Sequence, residues 1–135
     1  MKSEKTLLAI NDYGFSYADM YKPYFKDMTD NYDLLFSEPD SIGMVSFTGG
    51  EDVSPSMYGE PVGYRTGTNK YRDIFEKQIF EQALKHNIPM VGICRGSQFL
   101  NVMCGGRMIQ DVTNHAGSIH YAETYKGETM LVTTK

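Results

Sequence analysis

Short apolar runs that end in turn residues alternate along this chain with segments of helical period, and that alternation restricts the possible folds more than any other feature. Thr6 to Ile10 closes at Asn11-Asp12-Tyr13-Gly14, Ile42 to Phe47 at Thr48-Gly49-Gly50, and Pro89 to Ile93 at Cys94-Arg95-Gly96. Each reads as a buried strand followed by a turn. Tyr32 to Phe36 is a further short apolar run and an expected strand. Between these, Tyr17, Met20, Tyr21, Tyr24, Phe25 and Met28 recur at helical steps. Pro23 interrupts them, so this helix either kinks or starts near Lys22. From Asn69 to His86 the apolar positions Tyr71, Ile74, Phe75, Ile79, Phe80, Ala83 and Leu84 mark a second amphipathic helix. A third runs from about Ser97 to Cys104 and stops at Gly105-Gly106, a pair able to take left-handed angles.

Glu51 to Thr68 is rich in Gly, Pro and Ser and reads as a loop over the strand ends. Met108 to Tyr125 reads as irregular, and Thr129 to Thr133 as one more strand. The alternation predicts an α/β fold: a mostly parallel sheet with helices on both faces and right-handed crossovers, formed by residues 1–135 as one domain. The chemistry of such a sheet gathers at the carboxyl ends of its strands. Gly49-Gly50 and Cys94 both fall there.

Composition removes several classes of function. A formal charge of -4 gives no general attraction to phosphate backbones, so nucleic acid is not expected as a partner. No apolar stretch approaches the length of a membrane span, and a cytoplasmic location is expected. The two cysteines, Cys94 and Cys104, form neither a disulfide framework nor a C-x-x-C pair. Glu51-Asp52, without further carboxylates at ligand spacing, reads as a turn; no metal and no cofactor are expected.

Gly92-Ile93-Cys94-Arg95-Gly96 has the form G-x-C-x-G, the cysteine counterpart of a nucleophile elbow. A sharp turn between a buried strand and a helix lifts the central side chain above the sheet, and the glycines leave room for the strained backbone. The helix start offers unpaired N–H groups and the positive end of its dipole, which favours negative charge on the sulfur. Arg95 is expected to add positive charge beside it. Acyl transfer also needs donors for a developing oxyanion. The N–H of Arg95 is one candidate, and the side-chain-free backbone at Gly50 suits a second.

Gly49-Gly50-Glu51-Asp52-Val53-Ser54-Pro55-Ser56-Met57-Tyr58-Gly59-Glu60, Arg72-Asp73, Ile88-Pro89 through Gly92-Ile93-Cys94-Arg95-Gly96-Ser97-Gln98, Asn101 with Gly105-Gly106, and Gln110-Asp111 together resemble the class I glutamine amidotransferases. The nearest branch by motif is that of the γ-glutamyl hydrolases, which act on γ-glutamyl amides such as γ-glutamyl-γ-aminobutyrate. The motif-bearing stretch runs from about Ile42 to Asp111. The resemblance implies a flavodoxin-like sheet, Cys94 as the nucleophile, the amides of Gly50 and Arg95 as the oxyanion hole, and Gln98 with Gly49 against the glutamyl group. The implied substrate is glutamine or another small γ-glutamyl amide, cleaved through a thioester; the assembly could be a homo-oligomer or a pairing with a synthetase.

Members of that family complete a triad with a His-x-Glu on a strand downstream of the nucleophile. None of His86, His115 and His120 begins such a motif. His86 closes the long helix, where a cation at the C-terminus is ordinary. His115 and His120 are the candidates for a substituted base. The alternative expectation is that the base lies in sequence beyond Lys135, with the sheet incomplete at its C-terminal side. Two other readings stay open: a non-catalytic binding module built on the same fold, and a redox-sensing thiol at Cys94.

Overall fold

A computed structural model describes residues 2–50, 53–61, 68–108, 119–123 and 129–133. Four parallel strands form the central sheet: β1 (Ser3–Ile10), β2 (Phe25–Thr29), β3 (Ile42–Phe47) and β4 (Met90–Gly92), in spatial order β2-β1-β3-β4. Among the described residues the α-helices are α1 (Asp33–Ser37), α2 (Lys70–Lys85) and α3 (Arg95–Met103). β5 (Ile119–Glu123) and β6 (Thr129–Thr133) pair antiparallel as a separate two-stranded sheet. The parallel sheet with β1 inside it and the reversal of strand order next to it is the flavodoxin-like arrangement.

Successive residues of β1 point to opposite faces and divide the core in two. Leu8 and Ile10 join Val45, Phe47, Leu35, Ile79, Phe80, Ala83 and Phe99 in the larger cluster, so α1, α2 and α3 cover that face. Leu7 and Ala9 pack with Ala18, Tyr21, Phe25 and Met44 on the other face, beneath a 3₁₀ turn at Ala18–Tyr24. Tyr32 packs edge-on to Phe75 with ring centroids 4.8 Å apart, and Gln82 Nε2 donates to the Leu35 carbonyl at 3.2 Å, which seats α1 against α2.

Three expectations are corrected. The segment from Tyr17 to Met28 is not one helix: its first part forms 3₁₀ turns, and at Phe25 the backbone turns extended (φ -128°, ψ 150°) to start β2. Pro23 removes a donor from the helical ladder, and the following residues find their hydrogen bonds along β1 instead. Tyr32 to Phe36 is not a strand, because Leu34-Leu35-Phe36 winds into α1 and buries Leu35 alone. A short apolar run satisfies either pattern, and here β2 already occupies the sheet edge beside β1. The stretch from Met108 to Tyr125 is not wholly irregular, since Ile119–Glu123 forms β5. The helix from Asn69, the strands at Ile42 and Thr129, and the strand-to-helix turn at Cys94 are as expected.

Candidate functional site at the elbow

The strand register brings Ile10, Phe47 and Gly92 into one row across β1, β3 and β4, so the residues that follow them share the carboxyl edge of the sheet. The Thr48 hydroxyl donates to the carbonyls of Ile10 and Asn11 at 2.8 and 2.9 Å, tying the end of β3 to the end of β1. The Ile93 N–H donates to the Phe47 carbonyl at 2.9 Å and carries β3–β4 pairing to the brink of the turn.

Cys94 sits at that turn with φ 55° and ψ -116°, a left-handed backbone that a residue with a Cβ rarely adopts. Its side chain is exposed. Two close approaches require the flanking glycines. A Cβ on Gly92 would collide with the backbone of Gly96, and one on Gly96 would collide with the Phe47 carbonyl. The elbow is therefore pressed directly on the end of β3, and the strain at Cys94 is held by backbone contact on both sides.

The helix that leaves the elbow uses most of its own first N–H groups. Gly96 N–H donates to the Ile93 carbonyl at 2.9 Å, and the N–H groups of Ser97 and Gln98 donate to the Cys94 carbonyl at 3.0 and 3.3 Å. The Ser97 hydroxyl donates to the same carbonyl at 2.7 Å. Among the described residues, neither the Arg95 N–H nor the Gly50 N–H has an acceptor. Gly50 takes φ 136°, and a Cβ there would strike Nη1 of Arg72. Gly49 lies between Cys94 and the first turn of the chain: the point where its Cβ would stand is 3.6 Å from Cys94 Cβ and 3.3 Å from the Tyr17 hydroxyl. Tyr17 is held there by Asp12, whose buried carboxylate accepts from the N–H groups of Tyr17 and Ala18. Gln98 is half-buried, one turn into α3.

A cavity of about 600 Å³ opens along this edge, with Asn11, Tyr17, Gly49, Gly50, Tyr71 and Arg72 among its walls. A second, of about 470 Å³, lies on the other side of α2 between Ser54, Lys70, Lys77 and Met103. The first includes Gly49, which approaches Cys94.

The Arg95 side chain corrects another expectation. Its guanidinium is 1% exposed and turned into the protein, so its charge meets carboxylates rather than the sulfur. Nη1 donates to Glu76 Oε2 and Nη2 to Asp73 Oδ1, while the guanidinium carbon stands 5.6 Å from the centre of the Phe99 ring. Arg72 Nε donates to the same Glu76 oxygen at 3.2 Å, and Arg72 Nη2 to the Thr48 carbonyl at 3.1 Å. Asp73 Oδ2 accepts from the hydroxyl and the N–H of Ser54. Burial raises the pKa of Glu76 above the ordinary carboxylate value, with Arg95 and Arg72 opposing that rise. Near the start of α2 these two carboxylates thus join Arg72 and Arg95 in a four-residue ion cluster. A signal for it lies in the sequence, because Asp73 and Glu76 share the helical spacing of Phe80 and Ala83 and so fall on the buried face of α2.

Of the two histidines considered as a base, His115 lies outside the described residues, and His120 is in β5 opposite Val132. Glu51, Asp52, Gln110 and Asp111 also lie outside them. Among the described residues no group of His, Cys, Asp and Glu could hold a metal ion, and no helix is long and apolar enough to cross a membrane.

Residues 29–134 match the Peptidase C26 family. The chain belongs to that family. The match reaches well past the motif-bearing stretch on both sides. Protein NtpR of Enterococcus hirae is 43% identical over 77 residues, covering 56% of this chain and 32% of that protein. The putative glutamine amidotransferase-like protein YvdE of Lactococcus lactis is 39% identical over 99 residues, 73% of this chain and 41% of the relative. A protein of Campylobacter jejuni named γ-glutamyl-CDP-amidate hydrolase is 37% identical over 83 residues, 58% of this chain and 38% of its own length. The chain thus matches less than half the length of each of these relatives.

Proposed function

We propose that this chain carries the nucleophile of an enzyme that hydrolyses glutamine or another γ-glutamyl amide through a thioester at Cys94. The observation that carries the reading is the strained, exposed Cys94, followed in the chain by Arg95 and approached by Gly49, with the N–H groups of Arg95 and Gly50 lacking an acceptor among the described residues. Donors free of other partners at a nucleophile are what a tetrahedral oxyanion needs. Membership of the Peptidase C26 family, and relatives named as glutamine amidotransferase-like and γ-glutamyl-CDP-amidate hydrolase, support amide cleavage at a γ-glutamyl carbonyl.

In this mechanism the sulfur attacks the γ-carbonyl carbon, a C–S bond forms, and the carbonyl electron pair moves to oxygen between the Arg95 and Gly50 amides. The pair returns, the C–N bond breaks, and the leaving nitrogen takes up the proton that the thiol gave to a general base. Water then adds to the thioester, the C–S bond breaks, and glutamate and the thiol are released. Gln98 and Gly49 contact the glutamyl part, and the cavity walled by Tyr17, Tyr71 and Arg72 accommodates the remainder of the substrate. His115 and His120 are the candidates in this chain for the base.

The test is turnover of glutamine and of a panel of γ-glutamyl amides, with hydroxylamine added to trap the acyl group as γ-glutamyl hydroxamate. Cys94→Ser should abolish both hydroxamate and glutamate, a loss of about 10³-fold or more, whereas Cys104→Ser should leave them unchanged. Binding of the amides without any cleavage would instead identify a non-catalytic module.

A further inference from the structure

We propose that the buried ion cluster of Arg95, Asp73, Glu76 and Arg72 sets the distance between the two oxyanion donors, which makes its members positioning residues for acyl transfer. The inference rests on the reading of Cys94 as an acyl-transfer nucleophile.

The two donors belong to different strand ends. Arg95 follows β4 and Gly50 follows β3, and the last backbone hydrogen bond between these strands is that of Ile93 N–H to the Phe47 carbonyl. Beyond it, helix α2 makes the connection. On one side Asp73 and Glu76 grip the guanidinium of Arg95, the very residue whose N–H is the first donor. On the other, Arg72 hydrogen-bonds the Thr48 carbonyl, and its Nη1 stands where a Cβ of Gly50 would be. Asp73 also holds Ser54, further along the segment that follows Gly50. Glu76 Oε2 is shared by Arg72 and Arg95, so one carboxylate oxygen joins the two halves of the oxyanion site.

Stability alone is a weak reason for such a cluster. Buried ion pairs often stabilise no better than apolar side chains of the same volume, because both partners lose water. Here the cost is visible: among the described residues, Glu76 Oε1 and Arg95 Nε are buried without a hydrogen-bond partner. What the planar guanidinium forks supply, and apolar packing cannot, is fixed direction at two contacts per residue. The outcome is a rigid frame between two loops that must keep their donors a set distance apart.

The experiment compares two reactions of Cys94. Acylation by γ-glutamyl p-nitroanilide forms the C–S bond through a tetrahedral oxyanion and releases p-nitroaniline, which takes the thiol proton. Alkylation by iodoacetamide forms a C–S bond with loss of iodide and uses no oxyanion site. In Arg95→Lys and Arg72→Lys, which keep the charge but lose the fork, the maximal acylation rate should fall about 10²-fold, the loss a misplacement of about 1 Å can cause. In Arg95→Lys, whose side chain lies outside the cavity, the half-saturating concentration should stay as it is, and in both variants the alkylation rate of Cys94 should stay within about threefold of wild type. Acylation at the wild-type rate in both variants would overturn the inference alone. Parallel loss of acylation and alkylation would reduce the cluster to a merely structural role and overturn it likewise. Failure of the wild-type protein to acylate at all would overturn the proposed function and the inference with it. If Arg95→Lys does not fold, Arg72→Lys, at the edge of the cluster with its side chain 11% exposed, decides the matter.

Discussion

Helix α3 has an exposed cysteine at each end, and the two ends are built in opposite ways. Cys94 at the N-terminal end is held at φ 55° by glycines packed against backbone, whereas Cys104 at the C-terminal end rests at φ -86° and donates its N–H to the Leu100 carbonyl at 3.0 Å. Gly96 is wedged against the Phe47 carbonyl; Gly105 has open space around the position of a Cβ. One end is over-determined by the sheet beneath it and the other simply stops. A sulfur needs the first kind of end to be presented to a ligand in a fixed pose, because strain persists only where the surroundings enforce it.

The sharpest way to break this contrast is to add a methyl group at each end. Gly96→Ala should destabilise the protein by about 3 kcal/mol, since the new Cβ meets backbone that cannot yield without parting β3 from the elbow. Chemical denaturation would measure it. A cost well under 1 kcal/mol would mean that the turn has slack and that Cys94 is not held by its neighbours. Next in size is the reactivity of the sulfurs themselves. Cys94 is held in a fixed, exposed pose at the amide end of the helix, whereas Cys104 takes ordinary backbone angles at the carbonyl end, so an electrophile meets the first sulfur already presented. Iodoacetamide should modify Cys94 about tenfold faster, as mass mapping of partly labelled protein would reveal. Equal rates would dissolve the distinction. Gly105→Ala should cost only about 1 kcal/mol, because the space is open and the penalty comes from the left-handed backbone at φ 91° alone.

Much of this asymmetry could be read from residues before any coordinates. Glycines two positions to either side of Cys94, between an apolar run and a helical one, announce a close-packed turn, and Gly105-Gly106 announces a helix stop. The register that levels Ile10, Phe47 and Gly92 follows from strands of parallel type ending in turn residues. Two things were hidden for physical reasons. β2 is an edge strand paired with β1 alone, so it tolerates Lys26 and Asp27, and its sequence lacks the apolar run that marks an inner strand. The direction of the Arg95 side chain was hidden because adjacency along the chain says nothing about facing: at the elbow Cys94 is exposed while Arg95 is enclosed. Only the helical spacing of Asp73 and Glu76 with Phe80 and Ala83 could have shown that α2 needs a buried cation to meet it.

That hidden cation leads to the smallest predicted effect, which also separates the two ends of α3. Glu76 is fully enclosed, and burial raises its pKa against the opposing pull of Arg95 and Arg72. A carboxyl whose folded pKa is raised binds its proton more tightly in the folded than in the unfolded chain. Its stabilising contribution is therefore fully present below the unfolded value of 4.5 and fades as pH rises through the folded value. The difference in unfolding free energy between wild type and Glu76→Gln should accordingly shift in favour of wild type as pH falls from neutral towards 4.5. Denaturation of both proteins across that window checks the sign. A difference that moves the opposite way would mean that the two guanidinium groups outweigh burial, so that Glu76 is an ordinary ionised partner. In that case the N-terminal end of α3 would be held by charge attraction as well as by geometry, and the variants Arg95→Lys and Arg72→Lys, which keep charge, would perturb it less than Glu76→Gln.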